Sequence, residues 1–130
     1  MFEQDYLMRL LMQFMEAMRR SIERADDGRD PAGAAGMLET AIGDATDLDG
    51  DMLLSLAPES MAQVMQVSGV DPHVTEYVAN SLSLEAEYLR SAGNAELAAI
   101  RAEQASAVAA AYGFELAEGT PAERLEALEA

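Results

Sequence analysis

FEQDYLMRLLMQFMEAMRRSIER, residues 2–24, is the stretch whose reading decides the fold. Written as a helix, it carries three neighbouring apolar stripes. Leu7, Leu11, Phe14 and Met18 form the first, Leu11, Met15, Met18 and Ile22 the second, and Met8, Met12 and Met15 the third. Arg9, Gln13, Glu16, Arg20 and Glu23 make the only polar strip. The apolar arc is therefore far wider than the stripe of an ordinary surface helix. A helix of this kind needs cover on most sides, from its own chain or from another copy, and the remaining segments read as that cover.

The composition around this stretch points the same way. Half of the 130 residues are hydrophobic and only 5% are aromatic, with alanine making up much of the apolar share. Alanine favours helix over strand, and small side chains let helices approach closely. The expectation is an all-α chain of antiparallel helical hairpins, six to seven helices in a single domain spanning 1–130. Within it, 1–46 forms an N-terminal hydrophobic hairpin, 51–113 a helical body and 120–130 a short final helix.

Charge narrows the function classes. The net charge is −16 and the pI is near 4.1. Nucleic acid and anionic membrane surfaces recruit clustered positive charge, so neither is expected as a partner. Five of the eight basic residues, Arg9, Arg19, Arg20, Arg24 and Arg29, lie in the first thirty positions, and none of the eight is lysine. Arg19, Arg20 and Arg24 read as complements to a helix C-terminal dipole. Without cysteine there is no disulfide, thiolate metal site or thiol nucleophile, which fits a cytoplasmic protein. Glu3 and Asp5 stand where a signal peptide is basic, and Arg9 interrupts the apolar run. The opening therefore reads as neither a leader nor a membrane span.

Local signals then punctuate the chain. Helix one extends from about Glu3 to about Ala25 and stops at Asp26-Asp27-Gly28. Asp30 caps a second helix with Pro31 at its first position, running to about Thr46. Gly33, Gly36 and Gly43 suggest a smooth face laid against helix one, beside a stripe of Met37, Leu38, Ala41, Ile42 and Ala45. Asp51 caps a short helix from Met52 to about Leu56. Another follows from Pro58 to Ser68, with Met61, Val64, Met65 and Val67 inward and Gly69-Val70 as its C-cap. Asp71-Pro72 opens a long helix to about Ala92, with Val74, Tyr77, Val78, Leu82, Tyr88 and Leu89 inward. Gly93-Asn94 breaks the chain before a helix from about Ala95 to Tyr112. Its stripe is Ala98, Ala102, Ala105 and Ala109, flanked by Leu97, Ile100, Val108 and Ala111. Gly113 and Phe114 close it, and Thr120, Pro121 and Glu123 form a capping box for a last helix, Pro121 to Leu128, of weak docking strength.

Two candidate chemistries fail on spacing. Asp47-Leu48-Asp49-Gly50-Asp51 resembles a calcium loop, but an EF-hand starting at Asp47 requires glycine at its sixth position and glutamate at its twelfth. Met52 and Pro58 stand there. His73 is the only histidine, with neither a positioned nucleophile nor a second nitrogen ligand in the pattern, and reads as a surface residue. No catalytic, cofactor-binding or metal-ligating residue is expected.

Residues 82–112, LSLEAEYLRSAGNAELAAIRAEQASAVAAAY, resemble one tetratricopeptide-type hairpin. Leu82, Ala86 and Leu89 match first-helix positions, Gly93-Asn94 the turn, and Ala98 and Ala105 the alanine pair of the second helix. Ala102 departs from the large aromatic preferred there, and no second copy follows at the repeat period. The opening, MFEQDYLMRLLMQF, resembles that of a family of small bacterial helical proteins of unknown function. This resemblance implies a scaffold that binds a protein or peptide, with no cofactor. On that reading Tyr77, Tyr88, Arg90 and Arg101 are candidates to line a partner groove. The alternative is a structural homo-oligomer joined through Met8, Met12 and Met15 of helix one.

Overall fold

A computed structural model describes residues 2–129, all of whose regular elements are helices. They are α1 (Phe2–Asp26), α2 (Pro31–Thr46), α3 (Gly50–Leu54), α4 (Pro58–Val67), α5 (Pro72–Ser91), α6 (Ala95–Tyr112) and α7 (Pro121–Glu129). The fold is all-α and built from helical hairpins. The α1–α2 and α5–α6 hairpins lean on each other through α2 and α5, α4 packs on α6, and α7 returns to α1 and α5.

Capping chemistry sets the boundaries. The Asp30 carboxylate accepts from Gly33 N (2.9 Å) and from Arg24 Nε (2.9 Å), tying the end of α1 to the start of α2. The Gly33 amide and then the Arg24 guanidinium hold the Asp30 carboxyl below its usual range. A Cβ on Gly33 would collide with Asp30 Oδ2 and Arg24 Nε, so a side chain there would displace this clasp. Asp71 and Asn94 cap α5 and α6 through His73 N and Leu97 N. The capping box is complete: Thr120 N donates to Glu123 Oε1 at 3.1 Å, and Glu123 N donates to Thr120 Oγ1 at 3.2 Å.

Several details differ from the sequence expectation. Asp49, rather than Asp51, caps α3, and the helix begins at Gly50. An earlier start lets Gly50 pass against Gly43 of α2, where a Cβ on either would sit 3.2 to 3.3 Å from the other's Cα. Of the glycines of α2 only Gly33 meets α1, at Arg24; Gly36 faces open space and Gly43 faces Gly50, while Ala41 and Ala45 oppose Leu10, Phe14 and Ala17. On α4, Met61, Ala62 and Met65 are buried, whereas Val64 and Val67 are exposed. One face of a short helix against α6 is enough to cover only the first set. On α6, Ile100 and Ala111 are exposed and Ala102 is half-buried. Finally, α7 is docked firmly. Leu125 is buried, Tyr77 Oη donates to the Leu128 carbonyl (3.2 Å), and Arg124 pairs with Glu87 (3.0 Å).

The centre of the core is α5. Thirteen of its twenty residues are buried, on every side of the helix. α1, by contrast, buries Phe14, Met18 and Ser21 and half-buries Leu7, Leu10, Leu11, Met15, Ala17, Ile22 and Ala25. Its outward side remains bare.

Candidate functional site: the outer face of α1 and the polar hub behind it

One side of α1 is bare beyond its contact with α7. Arg19 Nη2 meets Glu129 Oε1 at 3.1 Å, so the end of α7 reaches the level of Arg19. Tyr6, Met8 and Met12, nearer the start of α1, stay 61%, 54% and 60% exposed. Met12 also borders an open groove of about 720 Å³ between α1 and α2. Ala17 and Met37 contribute apolar wall, and Arg9 and Arg20 line its α1 side. Glu16 accepts from both Arg19 (2.8 Å) and Arg20 (3.2 Å). Methionine suits such a face because its flexible thioether adapts to irregular surfaces.

Behind this face, α2, α5, α6 and the α3–α4 turn meet at a polar hub. Arg101 is only 6% exposed, yet its guanidinium makes four hydrogen bonds. Nε donates to Glu85 Oε2 (2.7 Å), Nη2 to Glu39 Oε2 (3.0 Å), and Nη1 to the Leu54 carbonyl (2.9 Å) and Gln104 Oε1 (3.1 Å). The Gln104 amide donates in turn to the carbonyls of Leu54 (3.0 Å) and Leu56 (2.9 Å). These are the last carbonyls of α3 and the turn beyond it, which a short helix cannot satisfy internally. The hub therefore closes the end of α3 from outside.

Its ionisation balances one cation against two carboxyls. Burial, and then the neighbouring Glu39 carboxylate, push the Glu85 carboxyl up to about 9, against the opposing pull of Arg101. Glu85 is thus protonated near neutral pH. Glu85 Oε1 is buried and makes no hydrogen bond.

The chain has no significant match among protein-family models, curated proteins or solved structures. What it can bind must be argued from these residues. Tyr77, Tyr88, Arg90 and Arg101, expected to line a partner groove, are not gathered on one surface. Tyr77 is buried with its ring edge-on to Phe14 (centroids 5.9 Å apart). Tyr88 is buried, and that burial pushes its hydroxyl up to about 12. Arg101 is the hub, and only Arg90 is exposed. Their helical spacing was compatible with either side of the hairpin, and contacts distant in sequence chose the inside. Met8 and Met12 are exposed and Met15 is half-buried, all on α1.

Sequence reasoning missed Glu85, Gln104 and the buried state of Arg101. A signal was available. Arg101 falls three residues after Ala98 and four before Ala105, inside the buried stripe of α6, and Glu85 stands likewise between Leu82 and Leu89. Charges of opposite sign in the apolar stripes of two adjacent helices are candidates for a buried pair. No described helix is long and apolar enough to cross a membrane.

Proposed function

We propose that the chain is a non-catalytic, cytoplasmic helical scaffold that binds a protein partner through the outer face of α1. The observation that carries this reading is the exposure of Met8 and Met12, one turn apart on the same face of α1. Clustered large apolar side chains at a surface mark contact sites more often than scattered ones do. The hub supports the reading from the other side. Its ionisable groups are committed to one another and to the ends of α3, which suits a rigid frame rather than a reacting centre. The α5–α6 hairpin adds a tetratricopeptide-like element, with Ala98 and Ala105 buried at its interface, in keeping with the resemblance to small helical proteins of unknown function.

The test is affinity capture with the wild-type chain and with Met12→Glu, washed at high salt. A protein retained at near-equal stoichiometry by the wild type and lost from the variant is the expected result. Equal capture by both forms would place binding elsewhere. Partners that leave as salt rises are ion exchange onto a −16 surface and would also defeat the proposal.

A further inference from the structure

Asp5, Met12 and Arg19 are spaced seven residues apart along α1, and all three are exposed. Seven residues bring a helix back to nearly the same face, with a drift of about 20°. At ~1.5 Å per residue, Asp5 and Arg19 lie roughly 10 Å from Met12 along the axis, in opposite directions. The face therefore carries Asp5 and Arg9 on one side of Met8 and Met12, and Glu16 and Arg19 on the other. Such a pattern complements itself only when reversed. Two parallel copies of α1 would set Asp5 against Asp5 and Arg19 against Arg19. Two antiparallel copies crossing at Met12 set Asp5 against Arg19 twice and methionine against methionine.

We infer that the occupant of this face is a second copy of the chain, laid antiparallel across a two-fold axis at Met12. The inference rests on the reading of α1 as a binding face and adds the identity of what it binds. A two-fold interface uses one patch on both protomers, and charge reversal along that patch is what such symmetry requires. The Arg19 guanidinium is held by Glu16 (2.8 Å) and Glu129 (3.1 Å) on its own chain. With five N–H donors it retains others for an incoming carboxylate.

The chain has no cysteine, so single introduced thiols report the geometry without background. The expected results are a dimer of the wild type by sedimentation equilibrium, a monomer for Met12→Glu, and disulfide-linked dimers from Met12→Cys under mild oxidation. Asp5→Cys alone should not link, whereas Asp5→Cys mixed with Arg19→Cys should. The double reversal Asp5→Arg with Arg19→Glu should dimerise where each single change weakens assembly. A wild-type monomer, a dimer indifferent to Met12→Glu, or efficient linking of Asp5→Cys to itself would each overturn the inference. A wild-type monomer that still loses a different protein partner on Met12→Glu would overturn the self-pairing alone and leave α1 standing as a binding face.

Discussion

α1 and α5 are the two longest helices, and their sequences suggest opposite roles to those they play. α1 is lined with leucine and methionine, yet Tyr6, Met8 and Met12 face outward. α5 carries Thr75, Asn80, Ser81 and Glu85, yet all four are buried. Three of the four find partners, and Ser81 Oγ is buried without one. Asn80 donates to the Glu76 carbonyl and accepts from Ala117 N, Thr75 returns its hydroxyl to the Asp71 carbonyl, and Glu85 meets Arg101. A buried polar group with a partner is tolerated, so a polar helix can be central. On α1 the contact with α7 lies at the level of Arg19, and Met8 and Met12 stay exposed.

The contrast can be broken most severely at Arg101. Arg101→Ala removes the donor to Glu85 Oε2 and Gln104 Oε1 at a buried junction and to the half-buried Glu39, while the Leu54 carbonyl keeps the Gln104 amide. The expected loss is about 2–6 kcal/mol in denaturant unfolding, at roughly 1–3 kcal/mol for each buried partner left without its hydrogen bond. Next comes the proton on Glu85. Its folded value lies near 9 against an ordinary 4.5, so the native state holds one more proton than the unfolded state between those limits. The stabilisation it brings is full below about 4.5 and is lost as pH rises through about 9. The expected slope is up to about 1.4 kcal/mol per pH unit across that window. Glu85→Gln mimics the neutral acid and should remove that share of the slope in parallel pH-dependent unfolding curves.

Smaller effects sharpen the comparison on the outer helices. Gly36 of α2 is exposed and would meet nothing with an added Cβ. Gly36→Ala should therefore stabilise the chain by about 0.5–1 kcal/mol, visible as a raised Tm. Least of all, Met12→Ser should change the stability of the monomeric chain by no more than about 0.5 kcal/mol, because an exposed side chain away from caps and hub carries little folding energy. A large loss in a monomer at Met12 would contradict the description of α1 as half-covered.

Much of the fold was legible because caps are local. Asp30-Pro31, Asp71-Pro72, Gly93-Asn94 and the Thr120–Glu123 box each lie within a few residues of the boundary they set. The site was less legible because its partners are far apart in sequence. Arg101 is separated from Glu85 by 16 positions, from Leu54 by 47 and from Glu39 by 62. No window of periodicity spans those distances. Val64 and Val67 illustrate the same limit from the apolar side: α4 offers hydrophobic residues on more than one face, and only α6 decides which are covered.

The same separations bear on the order in which the chain acquires its structure. The α5–α6 hairpin can close early, since its helices are neighbours joined by a tight turn, and closing a short loop is fast. The pairing of Arg101 with Glu85 belongs to that early event. The bonds to Leu54 and Glu39 wait until α2 and α3 arrive, so they are late contacts, absent from a transition state centred on the hairpin. Interactions of that kind govern how slowly a native chain opens rather than how quickly it forms. A single guanidinium would then act as the latch on the folded state, setting its lifetime.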